Sequence, residues 1–101
     1  MVTGTDIEKD QQIPDSYSLD ANYPNPFNPT TNITFGLPES SQVRLEIYNL
    51  LGQRVAVLVN ERRSAGRYTV QFDASRYSSG VYIYHLKAGS FSQTRKMLLM
   101  K

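Results

Sequence analysis

Cysteine and tryptophan are absent from the 101-residue sequence, and histidine occurs once. Without cysteine there is no disulfide to staple the fold, and no thiolate to attack a substrate or bind a metal. The core alone must hold the domain, and a chain of this length buries only roughly 60–70% of its unfolded surface. His85 has no second histidine to share a metal with, and its neighbours Tyr84 and Leu86 supply no acid–base partner. It reads as a packed or outer-face residue. No stretch approaches the roughly 20 apolar residues that cross a bilayer as a helix, so no transmembrane segment is expected. Met1 to Asp10 is polar and acidic, unlike the basic start and apolar run of a secretory leader. If the protein is exported, the export signal is expected elsewhere: in a preceding portion of chain or in the domain itself.

Acidic residues are scarce in the second half. Residues 43–101 carry ten Lys or Arg against Glu46, Glu61 and Asp73, a net +7, while residues 1–42 carry Lys9 against six carboxylates, a net −5. A basic half can mark a binder of nucleic acid or an anionic surface. Here Arg44, Arg54, Arg67 and Lys87 stand singly along strands, as solvated outer-face residues that discourage edge pairing do. No nucleic-acid partner is expected.

What is present is a succession of short apolar runs separated by turn residues, with no helical period. Residues 1–15 lack any hydrophobic period and read as a disordered linker; residues 16–101 read as the folded domain. The first strand is placed at Tyr17 to Ala21. Asn22, Tyr23, Pro24, Asn25, Pro26, Phe27, Asn28 and Pro29 follow, and prolines so spaced cannot donate to a central ladder. That segment is expected to be a stiff extended connection, with Tyr23 and Phe27 packing inward. Thr31 to Leu37, Val43 to Ile47 and Tyr68 to Asp73 alternate apolar with polar. Asn49 to Gly52 reads as a tight turn with Gly52 at positive φ. Arg54 to Val59 is apolar on both faces, so its inner side is undecided, and Asn60 to Gly66 reads as a polar loop. Gly80 to Leu86 turns Tyr82, Tyr84 and Leu86 to one face, Ala88 to Ser90 makes a hairpin turn, and Phe91 to Met100 ends the chain. Seven strands fit an all-β, antiparallel, immunoglobulin-like sandwich. Ile33, Phe35, Leu45, Ile47, Val70, Phe72, Tyr82 and Leu86 are expected in its core.

Catalytic patterns are missing. No Gly-x-Ser-x-Gly elbow, phosphate loop or facing carboxylate pair can be found. Glu46 is placed on an outer strand face, and Asp73 precedes a turn that its side chain can close. Asp20, Asn22, Asn25 and Asn28 offer oxygens of the kind calcium uses, but only one is an acid, so a turn-rich segment is the better reading. Tyr48, Tyr77 and a face of Gly80–Leu86 were they exposed would suit sugar stacking, though aromatics in a small domain more often build the core. Neither an enzymatic activity nor a cofactor or metal is expected.

Asn22 to Thr31 (NYPNPFNPTT) resembles the opening signature of the C-terminal sorting domains of the type IX (Por) secretion system. Ile33 to Pro38, Val43 to Gly52, Gly80 to Tyr84 and Arg95 to Lys101 resemble later stretches of that family, so the likeness covers roughly residues 17–101. It implies an immunoglobulin-like sandwich at the C-terminus of an exported Gram-negative protein. The implied partners are an N-terminal cargo domain, the outer-membrane secretion machinery and, in many members, a surface sortase-like peptidase. The implied route is transit through the periplasm to the cell surface or medium. A passive spacer or cell-surface attachment module, or less favourably a carbohydrate-binding module, is the competing reading.

Two expectations concern particular side chains. The residues Tyr77 to Tyr82 resemble the approach to a tyrosine corner, with the Tyr82 hydroxyl bonding backbone a few residues upstream. The last strand is apolar on both faces, Met97 and Leu99 on one and Leu98 and Met100 on the other, and one core can take only one set. The second set is either covered by a neighbouring loop or left available to a partner; in the latter case Lys96, Met97, Leu98, Leu99, Met100 and Lys101 are the candidate partner-recognition residues, an exposed strand edge with a terminal carboxylate being a known recognition surface.

Overall fold

Alternating apolar residues need a partner sheet, and this chain supplies two. A computed structural model of the protein describes residues 13–101. Its strands are β1 (Ser18–Leu19), β2 (Thr30–Leu37), β3 (Ser41–Tyr48), β4 (Arg54–Arg63), β5 (Gly66–Asp73), β6 (Gly80–Ala88) and β7 (Phe91–Leu99). One sheet has the order β1-β2-β5 and the other β4-β3-β6-β7, with every paired strand antiparallel. No helix occurs among the described residues. In a constant-type immunoglobulin domain the fourth strand joins the sheet of the first two; here β4 pairs with β3 instead.

The core lies between the sheets. Leu19, Ile33, Phe35, Leu37 and Phe72 enter from the three-stranded sheet, and Val43, Leu45, Ile47, Tyr82, Tyr84, Leu86, Met97 and Leu99 from the other. Seven of the eight core expectations hold. Val70 is the exception: it lies on the edge strand β5, packed against the core but only half-buried.

β1 is shorter than expected, two residues rather than Tyr17 to Ala21. β4 is longer: the expected loop from Asn60 continues the strand to Arg63 and leaves only Ser64 and Ala65 before β5. Register shifts between Leu45 and Glu46 and between Ile47 and Tyr48 pass over Leu58 and Val55 on β4. Each bulge flips the parity of the following residues. Val59 therefore points into the core and Val57 is exposed, which no single period describes.

Gly52 takes φ 82° in the turn between β3 and β4, as expected. Gly66 and Gly80 both take φ 151° at the start of β5 and β6. Each is followed two residues on by a tyrosine whose hydroxyl donates to the carbonyl four residues upstream: Tyr68 to Ser64 at 2.7 Å and Tyr82 to Ser78 at 2.8 Å. The Tyr82 expectation holds. Its duplicate shows in the sequence as Ser64-Ala65-Gly66-Arg67-Tyr68 against Ser78-Ser79-Gly80-Val81-Tyr82.

Most of the linker reading, residues 1–12, lies outside the described residues. Of the remainder, Ile13 is exposed and the Pro14 ring lies against Gly36, where a Cβ would come within 3.1 Å of it.

Candidate functional site: the C-terminal strand and the segment that holds it

Phe27 is the centre of the proline-rich segment. Its ring is buried, 6.2 Å from Phe72, while the prolines around it lack N–H groups and keep the flanking chain out of any regular ladder. The Tyr23–Pro24, Asn25–Pro26 and Asn28–Pro29 bonds are cis. Tyr23 does not pack inward: it is 79% exposed, and Phe27 alone makes the inward contact. Asn22 is the buried polar member, its Nδ2 donating to Pro24 O at 3.2 Å and to Thr31 Oγ1 at 3.0 Å, while Thr31 Oγ1 donates to Pro24 O at 2.8 Å. Side-chain hydrogen bonds thus shape a segment whose prolines have removed backbone donors.

This segment grips the end of β7. Phe27 pairs with Leu99 in a parallel bridge. The Phe27 N–H donates to Leu98 O at 3.0 Å, and the Met100 N–H donates to Phe27 O at 3.0 Å. The Leu98 N–H donates to Asn25 Oδ1 at 3.0 Å. Beyond the strand, the Lys101 N–H donates to Ser79 Oγ at 2.9 Å and Lys101 Nζ to Ser75 O at 2.7 Å. The two stretches on which the family likeness most depends, far apart in sequence, are therefore one physical unit.

Within the six candidate recognition residues, Met97 and Leu99 enter the core, Leu98 is half-buried, and Met100 is 54% exposed. Lys96 is exposed on the outer face of the sheet, whereas Lys101 lies over the loop from Ser75 to Ser79. Four extended residues lie between the two lysines and hold them roughly 17 Å apart, so they do not form one basic spot.

Glu46 differs from expectation. It is on the outer side of β3 but only 4% exposed, covered by its partners. Arg54 Nη1 reaches Glu46 Oε2 at 2.9 Å, Arg44 Nε lies 3.9 Å from the same oxygen, and the Tyr48 hydroxyl donates to Oε1 at 2.9 Å. Burial pushes the Glu46 pKa upward, but the hydrogen bonds from Tyr48 and Arg54 and the two arginine charges outweigh it and hold the carboxyl below its ordinary value. The bond to Glu46, with burial, raises the Tyr48 phenol in turn. Arg54, Arg44 and Tyr48 thus engage both oxygens of this carboxylate. Asp73 closes its turn as expected, accepting from the Ser75 N–H at 3.0 Å, which lowers its pKa.

The tyrosines do not make a stacking platform. Tyr77 stacks on Phe72, leans on Tyr82 and donates to Val55 O at 2.9 Å; Tyr82 and Tyr84 are buried. His85 lies 2.9 Å from Thr94 Oγ1 across the β6–β7 pair. Among the described residues no three His, Cys, Asp or Glu side chains gather as a metal site. Asn22 Nδ2 is committed within the segment and Asn25 Oδ1 to β7, while the buried Asn22 Oδ1 has no hydrogen-bond partner among the described residues.

Fold and site together define a β-sandwich module whose most specialised construction lies at its C-terminal strand. Residues 21–100 match the family described as the secretion system C-terminal sorting domain, and the chain belongs to that family. Such a domain is a C-terminal sorting signal for type IX secretion, a non-catalytic signal that sends an attached cargo to the cell surface or the medium. No curated protein matches the chain. The matched span takes in the Asn22–Pro29 segment, β7 and Met100 just beyond it, the parts that the hydrogen bonds join.

Proposed function

We propose that the folded domain is read at its C-terminal strand, Lys96 to Lys101, by the outer-membrane secretion machinery once the cargo has reached the periplasm. Residues 1–15 serve as the linker to the cargo, and residues 16–101 as the sorting domain with its immunoglobulin-like sandwich. After passage, a surface sortase-like peptidase removes the domain. The observation that carries the reading is the grip of Asn25 and Phe27 on Leu98 and Met100. A strand end held on both sides is presented in one conformation, which lowers the ordering cost a partner meets on binding.

Deleting the domain from its parent protein tests the role in sorting: the cargo is expected to accumulate in the periplasm, whereas a spacer could be lost with export intact. The strand itself is tested by Lys96→Glu with Lys101→Glu in a reporter fusion. Lys96 is exposed, and Lys101 gives up one surface hydrogen bond, so the melting free energy is expected to change by no more than about 1 kcal/mol. Export is expected to fall. Normal export of the double variant would place the signal elsewhere in the sandwich.

A further inference from the structure

The outward side chains of the last strand belong to a larger surface. Leu98 lies directly opposite Val81 on β6, and Tyr48, Ile83 and Lys96 form one cross-strand row over β3, β6 and β7. Met100 follows Leu98 on the same face. Leu50 and Leu51, in the turn that begins just after Tyr48, are exposed at that end, Leu51 by 83%. Val81, Ile83 and Leu98 are half-buried neighbours on the outer face of the sheet, and Met100, Leu50 and Leu51 are exposed on the chain just beyond the same end of β7 and β3. Contiguous exposed apolar surface of this kind marks a contact site more often than an accident of composition.

This face is also rigid. Leu98 is paired to Val81 on one side, and its N–H and carbonyl are held by Asn25 and Phe27 on the other. The rim is basic: Lys96 stands at one end of the row and Arg54, opposite Tyr48, at the other. Glu46 offsets only one of Arg44 and Arg54, and Lys96 has no carboxylate opposite it, so the border keeps a net positive charge.

We infer that this corner of the four-stranded sheet, formed by Leu50, Leu51, Val81, Ile83, Leu98 and Met100, docks a protein of the secretion machinery that presents an apolar surface bordered by carboxylates. The inference rests on the sorting role proposed above and names the surface and chemistry through which it acts. Charge decides among occupants. A second copy meeting this face about a two-fold axis would set basic rim against basic rim. A lipid surface is a poorer fit, because the patch projects no aromatic anchor: Tyr48 is turned onto Glu46.

The test fuses the full chain behind a reporter in a bacterium with type IX secretion. It compares the unchanged domain, Leu51→Glu with Met100→Glu, and Gln71→Glu on the outer side of the opposite sheet. Export of the unchanged fusion and of Gln71→Glu is expected to be equal. The Leu51→Glu/Met100→Glu fusion is expected to be exported at least about tenfold less at an unaltered melting temperature, the change that about 1.4 kcal/mol of lost affinity gives. Should Met100→Glu loosen β7, Leu50→Glu with Leu51→Glu, confined to the turn, carries the same expectation. Failure of the unchanged fusion to be exported would sink the sorting role itself. Export of the unchanged fusion together with normal export of the folded patch variants would overturn only the docking surface. Two further results would overturn it as well: patch-dependent flotation of the purified domain with anionic phosphatidylglycerol vesicles, or a patch-dependent dimer in sedimentation.

Discussion

Single hydroxyls and carboxylates carry unusual weight in a domain with no crosslinks. Tyr82 and Tyr68 each tie a glycine-led strand start to the carbonyl four residues back, but Tyr82 is buried and Tyr68 lies near the surface. Tyr82→Phe is expected to cost on the order of 1 kcal/mol by urea denaturation, and Tyr68→Phe less, since water replaces an exposed bond more readily. An unchanged midpoint for Tyr82→Phe would remove the idea. Glu46 gives a pH signature. Folding lowers its pKa from an ordinary value of about 4.5, so its contribution is complete above that pH and is lost as the pH falls through the lower folded value. Glu46→Gln is therefore expected to be less stable than the parent at pH 6–7, with the gap closing in more acid solution. A gap that widened on acidification would contradict the pairing. Both Arg partners are substantially exposed, which limits the size of the effect.

Among the elements, β4 and β7 show opposite ways of managing an edge. β4 lies at the sheet margin and is interrupted by two bulges and flanked by charges, features that discourage pairing with another chain. β7 lies at the other margin, and its end is occupied by Phe27. Removing the Phe27 ring is expected to cost about 3–5 kcal/mol, as for other buried aromatic truncations. Asn25→Ala removes one exposed acceptor and should cost about 1 kcal/mol or less. Hydrogen exchange separates the two effects: Asn25→Ala should speed exchange at the Leu98 amide, while Phe27→Ala should also expose that of Met100. Protection of both amides in both variants would mean that the segment does not hold the strand.

At the scale of the whole molecule, side chains from one sheet fasten the shortest strand of the other. Tyr84 donates to Asp20 O at 2.8 Å and Arg95 to Leu19 O at 2.6 Å, so β1, two residues long, is tied to β6 and β7 as well as paired to β2. Burial raises the Tyr84 phenol, keeping it the protonated donor this bond needs. Such ties take the place of disulfides. Asn22 Nδ2 and Asn25 Oδ1 are used the same way, as internal hydrogen-bonding groups, and no three acidic or histidine side chains gather as a metal site among the described residues. A chelator is accordingly expected to leave the melting temperature unchanged, and a fall of several degrees would point to a bound cation.

The family and the sandwich were legible because both depend on local pattern. Ile33, Phe35, Leu45 and Ile47 alternate cleanly, and a half-buried strand must show its period in the sequence. The proline-rich signature and the tyrosine approach to β6 are equally local. What the sequence left open were contacts between distant residues. Bulges at Leu58 and Val55 depend on how β4 registers against β3, so Val59 rather than Val57 entered the core for reasons no window of β4 contains. Glu46 became a buried ion because Arg44, Tyr48 and Arg54 closed over it. Leu98 and Met100 face outward because one core cannot receive both faces of a strand, and only the packing of the sheets decided that Met97 and Leu99 would take it.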